Sequence, residues 1–249
     1  PSMANNELSG PTVLSELVKY IKNKKNLRFS YRFVILPETI GSICYIKKFY
    51  STLKKRMLCG FNVSCVGDNG NFSIIESPSG NTLADFSLKE VIKNKKKFKK
   101  YNFKERGSDE RQYCAPGVDL PVCGFSRSKY GEYRQYHTSL DNLNFISAKG
   151  LKSSLNVLKK IVDSFENEKS WYIIPKSKFN CEPNLGKRNL YFKVSEKKNY
   201  KSLGLRKNLI AYSDGKKNLL QISKIINQPI KKILKEMKLL LRKGVLKIS

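Results

Sequence analysis

The sequence predicts an α/β fold with a doubly wound, mostly parallel sheet, followed by a small C-terminal winged helix-turn-helix. Near-continuous apolar runs such as MLCGFNVSCVGD, residues 57–68, alternate with amphipathic helical segments. Strands buried on both faces lack the alternation of a half-exposed strand and are typical of parallel sheets covered by helices. Three short helical segments and a terminal apolar strand in the last fifth of the chain predict the winged helix.

The predicted elements rest on capping residues, apolar periodicity and β-propensity. Ser9 and Pro11 form a helix start, whereas the β-branched and aromatic run RFSYRFVILPE favours a strand. Between Lys93 and Arg106, lysines alternate with aromatic residues, as in a solvated helix end or a nucleic-acid-binding stripe. In order, the elements are a helix over 9–21, a strand over 28–37, a helix over 41–53, a strand over 57–68 and a helix over 146–165.

Domain boundaries follow from the change in element type. We expect an α/β domain over 1–168, a connector with short strands over 169–203 and the winged helix over 204–249. In the last domain, helices over 205–212, 219–227 and 230–242 precede the strand GVLKIS. Winged helices bind DNA or dock and pack against proteins, so this pattern leaves the role of the domain open.

Composition limits the class of protein. The 49 Lys and Arg residues against 20 Asp and Glu give a net charge of +29, which permits non-specific binding of polyanions. Lysine supplies most of the excess, a pattern that compositional drift also produces. The six cysteines include no Cys-x-x-Cys pair, so free thiols in a cytoplasmic protein are expected rather than a zinc ribbon. No apolar run reaches the roughly 18 residues of a membrane-spanning helix.

The segment QYHTSLDN, residues 135–142, contains the only histidine, His137. A hydrolytic zinc site needs a few N and O ligands, an open position for water and a carboxylate that takes the proton of that water. A carboxylate four residues after the histidine could hold its second nitrogen. A structural histidine among ordinary loop carboxylates explains the same spacing. The polar residues at predicted strand ends and loops are Asn6, Glu7, Glu38, Asp68, Asp109 and Asp141.

Five motifs stand in order along the chain: SMANNELSG, LPETIGS, CVGDNG, GSDERQYCAPGVDLPV and YHTSLDN. Together they resemble the signatures of zinc aminopeptidases of the co-catalytic, bacterial leucyl aminopeptidase type. The closer resemblance is to a bacterial aminopeptidase-like family with a C-terminal winged helix, and it covers nearly the whole chain. It implies a zinc-dependent hydrolase of peptide or amide bonds, linked to surface polysaccharide biosynthesis. The substrate would be a small peptide, an amide or an amino sugar.

The resemblance also implies roles for single residues. Glu38 falls on the general base, Asp68 and His137 fall on zinc ligands, and Glu7 is a further candidate ligand. Near the ligands the resemblance places Asn6, Thr39, Asp109 and Asp141, and the candidates for substrate binding are Arg111, Tyr113 and Arg127.

Two positions depart from the family pattern. Asn6 stands where the family has a bridging Asp, and Thr39 where it has a ligand Glu. Neutral side chains are poor substitutes for carboxylates facing a dication, so we expect one zinc ion rather than two. The family's first ligand His would stand immediately before Pro1. We therefore expect the chain to be N-terminally truncated, and to be inactive, metal-poor and prone to association without that segment.

Two alternatives remain open at this point. One is a catalytically impaired protein that keeps the aminopeptidase fold for binding, which Asn6 and Thr39 favour. The other is a DNA-binding regulator that acts through the winged helix and the basic charge. Against the regulator, the lysines of segment 230–242 are spaced mostly as one solvated helix face, and few of its residues suit the reading of base edges.

Overall fold

A computed structural model of the protein describes residues 3–93, 98–167, 172–191 and 200–249. The chain divides into two compact units, Pro1–Val162 and Asp163–Ser249. The first unit opens with a π-helical turn, Ala4–Leu8. Its strands are β1 (Gly60–Val63), β2 (Ser73–Ile75), β3 (Lys99–Tyr101) and β4 (Val122–Ser126). Its helices are α1 (Ser9–Lys22), α2 (Ile40–Arg56), α3 (Leu83–Ile92), α4 (Glu110–Tyr113) and α5 (Ala148–Glu166), which continues into the second unit.

The sheet has the strand order β1-β4-β2-β3. β1 pairs with β4 and β2 with β3 in parallel, whereas β2 and β4 are antiparallel. Two of the three pairings are therefore parallel, which confirms the predicted mixed α/β class with a parallel-dominant sheet. Because β1 and β4 are parallel neighbours, the loops that follow them leave from the same edge of the sheet. That edge positions the site described below.

The core of the first unit follows the apolar runs of the sequence. β4 is buried along its whole length, and Phe125 on this strand stacks against Phe72 with ring centroids 6.0 Å apart. The predicted helices over 41–53 and 146–165 are confirmed as α2 and α5. Of the predicted strand over 57–68, only Gly60–Val63 forms a strand, and residues 64–68 belong to the loop that enters the site.

The predicted strand over 28–37 is wrong. This segment makes no strand ladder with the described residues, and none of its side chains is buried. Its β-branched and aromatic residues favour a pleated, half-buried surface. That preference forms a strand only when a neighbouring strand supplies hydrogen-bond partners and a core covers one face. Among the described residues, no strand pairs with this segment and none of its side chains is buried.

The first helix also begins differently from the prediction. Ser9 is not the capping residue, because the π-helical turn precedes it and leads directly into α1. The Ser9 hydroxyl donates to the carbonyl oxygen of Asn5 at 2.5 Å and accepts from the N–H of Val66 at 2.9 Å. A residue expected to cap the start of a helix therefore joins the N-terminal turn to the loop after β1.

The lysine-rich segment is described in part, because residues 94–97 lie outside the described ranges. Tyr101 is buried and packs in a cluster with Cys65, Ile75 and Tyr130. Phe103 packs against a second core cluster. These two aromatic residues face the interior, as expected of a solvated basic segment rather than of a stacking platform for nucleic-acid bases.

The second unit is a winged helix. It contains α6 (Tyr200–Ala211), α7 (Leu219–Ile225) and α8 (Ile230–Arg242), with β5 (Pro175–Ser177) antiparallel to β6 (Leu246–Ile248). The three predicted helices and the terminal strand are confirmed. α8 is amphipathic, since Ile233, Met237 and Leu240 are buried at spacings of four and three residues. Residues 168–171 and 192–199 of the predicted connector lie outside the described residues. No described helix is long and apolar enough to cross a membrane.

The exposed face of α8 is basic and leads to a prediction about nucleic acid. Lys231, Lys232, Lys235 and Lys238 are exposed on it. These side chains attract phosphates as point charges but offer no planar pair of donors for base edges. DNA binding measured by fluorescence anisotropy is expected to be weak, insensitive to sequence and steeply reduced by added salt. Nanomolar, sequence-selective binding at physiological salt would contradict the prediction and support the regulator.

Candidate active site

Four segments converge where β1 and β4 end. They are the π-helical turn, residues 36–39 before α2, residues 64–70 after β1 and residues 127–142 after β4. Hydrogen bonds and electrostatic interactions join them in pairs. Most of the residues that the sequence singled out lie on these segments.

Asp141 anchors the loop after β4 to the N-terminal turn. Its carboxylate accepts from the backbone N–H groups of Asn5 at 2.7 Å and Asn6 at 3.1 Å. The hydroxyl of Tyr133 also donates to it, at 3.2 Å. Unpaired N–H groups at the start of a helix carry partial positive charge, so a buried carboxylate is stabilised there. Asp141 thereby fixes the turn on which Asn6 and Glu7 stand, a role that its spacing to His137 does not indicate.

Asp68 is a buried carboxylate with a full set of hydrogen bonds. It is 2% exposed. Its oxygens accept from the Asn5 side-chain amide at 3.0 Å, the Gly70 N–H at 2.5 Å, and the Ser128 N–H and hydroxyl at 3.2 and 2.9 Å. The Asn5 amide oxygen in turn accepts from the N–H groups of Gly67 and Asp68. In this arrangement the Asp68 carboxylate joins the turn and both loops.

Glu7 is the centre of a group of ionisable side chains. Burial raises its pKa first, and the neighbouring carboxylates of Glu38, Asp109 and Asp141 raise it further, whereas His137 lowers it. The structure therefore brings five of the predicted residues into electrostatic range of one another. The excess of carboxylates over cations in this group favours a positively charged ligand group.

His137 lies at the exposed rim of this group. Its ring stacks on the ring of Tyr136, with centroids 3.9 Å apart and planes 17° apart. Burial raises the pKa of Tyr136, and Cys65, Glu38 and Glu7 raise it further. Tyr136 therefore borders the same group of carboxylates. Sequence reasoning missed this residue, although the aromatic-rich stretch YGEYRQYH before Thr138 could have indicated it.

Four of the eight described non-glycine residues with positive φ angles lie on these segments or next to them. Met3, Thr39, Cys65 and His137 all have left-handed φ angles, of 43°, 64°, 52° and 56°. Such conformations cost about 1–3 kcal/mol each and persist where the surrounding structure imposes them, often at functional sites. Thr39 is the most unusual of the four because its side chain is β-branched.

The three candidate substrate-binding residues are used in different ways. Arg111 donates through Nη2 to the Thr39 hydroxyl at 2.6 Å, beside Glu38. Tyr113 packs partly buried against the core cluster that contains Leu53. Arg127 lies over the Phe72 ring and donates to the Gly70 carbonyl and the Ser153 hydroxyl at 2.6 Å each. Of the three, Arg111 lies nearest to the residues around Glu38, whereas the Arg127 guanidinium is hydrogen-bonded to Gly70 and Ser153.

The hydrogen bonds of the residues at the family's zinc-ligand positions show whether these residues are able to bind metal ions. Asn6 donates its amide N–H to the Glu7 carboxylate at 2.8 Å. Burial raises the pKa of the Cys65 thiol to about 12, so the thiol stays protonated and donates to the Asn6 amide oxygen at 3.4 Å. Among the residues that the structure describes, no three His, Cys, Asp or Glu side chains are arranged to hold a metal ion. Because amide and hydroxyl groups already hydrogen-bonded to neighbours stand where a dication needs oxygen ligands, these residues do not fit a two-zinc centre.

Comparison with known proteins identifies the relatives of both units. Residues 1–168 match a family described as a domain of unknown function, DUF4910, and residues 173–248 match a winged helix-turn-helix. A Clostridium acetobutylicum protein, provisionally named a polysaccharide biosynthesis protein with an aminopeptidase-like domain, is 34% identical over 226 residues. The match covers 90% of this chain and 50% of that protein. The chain thus spans about half the length of this relative.

Solved structures show the same fold. A crystal structure from Clostridium acetobutylicum, provisionally described as a peptidase, has a TM-score of 0.75 at 31% identity and covers 100% of this chain and 55% of its own. A zinc aminopeptidase from Bacillus subtilis has a TM-score of 0.56 at 19% identity, over 67% of this chain and 43% of its own. The resemblance to aminopeptidase-like proteins with a C-terminal winged helix is therefore confirmed. The chain belongs to the DUF4910 family.

Proposed function

We propose that this chain carries the substrate-facing part of an aminopeptidase-like hydrolase that cleaves a peptide or amide bond, with Glu38 as the general base. The observation that carries the proposal is that Glu38 and His137 lie within electrostatic range of Glu7, with Glu38 next to the strained Thr39. Active groups of open α/β sheets gather at this edge of the sheet. The aminopeptidase fold of the relatives supports the same function.

The chemistry follows from the position of the Glu38 carboxylate. Glu38 is exposed at the start of α2, where a water molecule and a substrate can both reach it. Its carboxylate would take a proton from the water as the water oxygen bonds to the carbonyl carbon of the substrate. When the C–N bond breaks, the leaving nitrogen needs a proton. The carboxyl group of Glu38, which has taken a proton from the water, can pass that proton to the nitrogen.

The substrate class that fits this site is a small molecule with an amino group. The carboxylates around Glu7 attract an ammonium group, and the stacked rings of Tyr136 and His137 offer an apolar face beside it. A short peptide, an amino-acid amide and an amino sugar all combine these two features. The name of the Clostridium relative supports a substrate from polysaccharide biosynthesis.

Zinc is the cofactor suggested by the zinc aminopeptidases of similar fold. Because Asn6 and Thr39 cannot serve as carboxylate ligands, we expect the full-length protein to bind about one zinc ion per chain. His137→Ala is expected to lower this occupancy, since His137 stands at a zinc-ligand position of the family pattern. Elemental analysis after dialysis measures the number of zinc ions per chain.

The matched control for this experiment is Cys181→Ser. It removes an exposed thiol of the second unit that could hold zinc adventitiously, and it should leave the specific occupancy unchanged. Two zinc ions per chain, or an occupancy unaffected by His137→Ala, would contradict the proposed site.

A binding protein without catalysis is the second candidate, favoured by the hydrogen bonds of Asn6 and Thr39 at former ligand positions. Titration calorimetry with an amino-acid amide separates it from the enzyme when turnover of the same amide is measured with added zinc. Binding without turnover in the full-length protein supports this candidate, whereas turnover rejects it.

A further inference from the structure

We propose that Asp109 and Arg111 form a clamp that holds Thr39 in its left-handed conformation and thereby sets the direction of the Glu38 carboxylate. Both would be positioning residues, since they act through Thr39 rather than on the substrate. The inference rests on the proposed role of Glu38 as the general base.

The clamp grips both polar groups of Thr39. The backbone N–H of Thr39 donates to Asp109 Oδ1 at 2.8 Å, and the Thr39 hydroxyl accepts from Arg111 Nη2 at 2.6 Å. The two partners lie 70 and 72 positions further along the chain. Arg111 Nε is buried and has no hydrogen-bond partner among the residues that the structure describes, so the guanidinium keeps this position although one of its donors is unsatisfied.

Thr39 makes these contacts instead of capping the helix that follows it. At the start of a helix, Thr ordinarily adopts an extended conformation and caps the helix with its hydroxyl. Thr39 precedes α2 with φ 64° and ψ −69° and makes no side-chain capping bond. The chain around it forms a tight turn instead, in which Ile40 N–H donates to the Glu38 carbonyl at 2.8 Å and Gly41 N–H to the Pro37 carbonyl at 3.0 Å. Without the clamp, a conventional cap would be favoured and would reorient Glu38.

The residue between Asp109 and Arg111 holds the clamp in place. Glu110, between its two residues, is fully buried. Its carboxylate accepts from the Gly107 N–H at 3.1 Å, the Tyr130 hydroxyl at 2.5 Å and the side-chain amide of Asn62 at 2.7 Å. Asn62 lies on β1 and Tyr130 on the loop that carries His137. These hydrogen bonds therefore fix the position of Thr39, and with it Glu38, relative to β1 and to the loop that carries His137.

The test uses the full-length protein. Asp109→Ala is expected to lower kcat toward an amino-acid amide by about 10- to 100-fold, because a small displacement of a catalytic group is costly, with KM little changed. Hydrogen exchange of the Thr39 amide is expected to accelerate, while exchange in β1 and β4 stays the same. Asp109→Asn keeps an oxygen that can accept from Thr39, so it should restore most of both properties.

Two further variants make the test decisive. Asp119→Asn removes an exposed carboxylate that pairs only at the surface with Lys54 and should leave kcat and Thr39 exchange unchanged. If Asp109→Ala does not fold, Arg111→Lys removes the planar donor instead, and the same losses are expected.

Unchanged Thr39 exchange in a folded Asp109→Ala protein would overturn the clamp. So would equal losses in Asp109→Ala and Asp109→Asn, since the negative charge rather than the hydrogen bond would then be responsible. Failure of the proposed function has a different signature: Glu38→Gln would keep its turnover. The exchange measurement decides the clamp in either case.

Discussion

Glu38→Gln is expected to lower kcat of the full-length protein toward amino-acid amides by about 10²- to 10⁴-fold, the usual contribution of a general base. The amide side chain cannot take a proton from water. Because Glu38 is exposed and makes no core contact, the melting temperature should remain nearly unchanged. Steady-state kinetics together with thermal unfolding measures both effects.

The matched control is Glu16→Gln. Glu16 is also an exposed glutamate, paired with Lys19 on the surface of α1, and its replacement should leave both properties unchanged. Activity that survives in Glu38→Gln would remove this residue from its proposed role. A large drop in melting temperature would instead assign it a structural role.

Asp68→Asn is expected to lower the free energy of unfolding by about 3 kcal/mol. The buried carboxylate accepts hydrogen bonds from Asn5, Gly70 and Ser128, and its charge favours the nearby Arg127 guanidinium. An amide group in its place turns N–H groups toward donors and leaves the cation without its counter-charge. Urea denaturation measures the change through the midpoint and the slope.

The same substitution at an exposed carboxylate, Asp119→Asn, is expected to change the free energy of unfolding by less than about 0.5 kcal/mol. Zinc content measured on the Asp68→Asn protein separates two roles for this residue. Unchanged stability with lost zinc would identify Asp68 as a ligand rather than a structural carboxylate. Lost stability with unchanged zinc content would identify it as purely structural.

Much of the fold is predictable because its elements depend on local patterns. The apolar periodicity of α5 and α8 and the apolar run that contains β1 indicate their type directly. Segment 28–37 has an equally clear β-composition but forms no strand. A strand needs a partner and a covered face, and both are supplied by residues far away in the sequence. Composition alone could not reveal that they are lacking here.

The candidate site divides in the same way. The sequence by itself singled out Glu7, Glu38 and His137, and these residues do come within electrostatic range of one another. Only the tertiary structure decided what single side chains do there. Asp68 accepts a hydrogen bond from Asn5, 63 positions away in the sequence. Thr39 is held in its strained conformation by partners 70 and 72 positions away. The physical reason is that the role of a carboxylate or hydroxyl depends on the donors and acceptors around it, and folding brings these from distant parts of the chain.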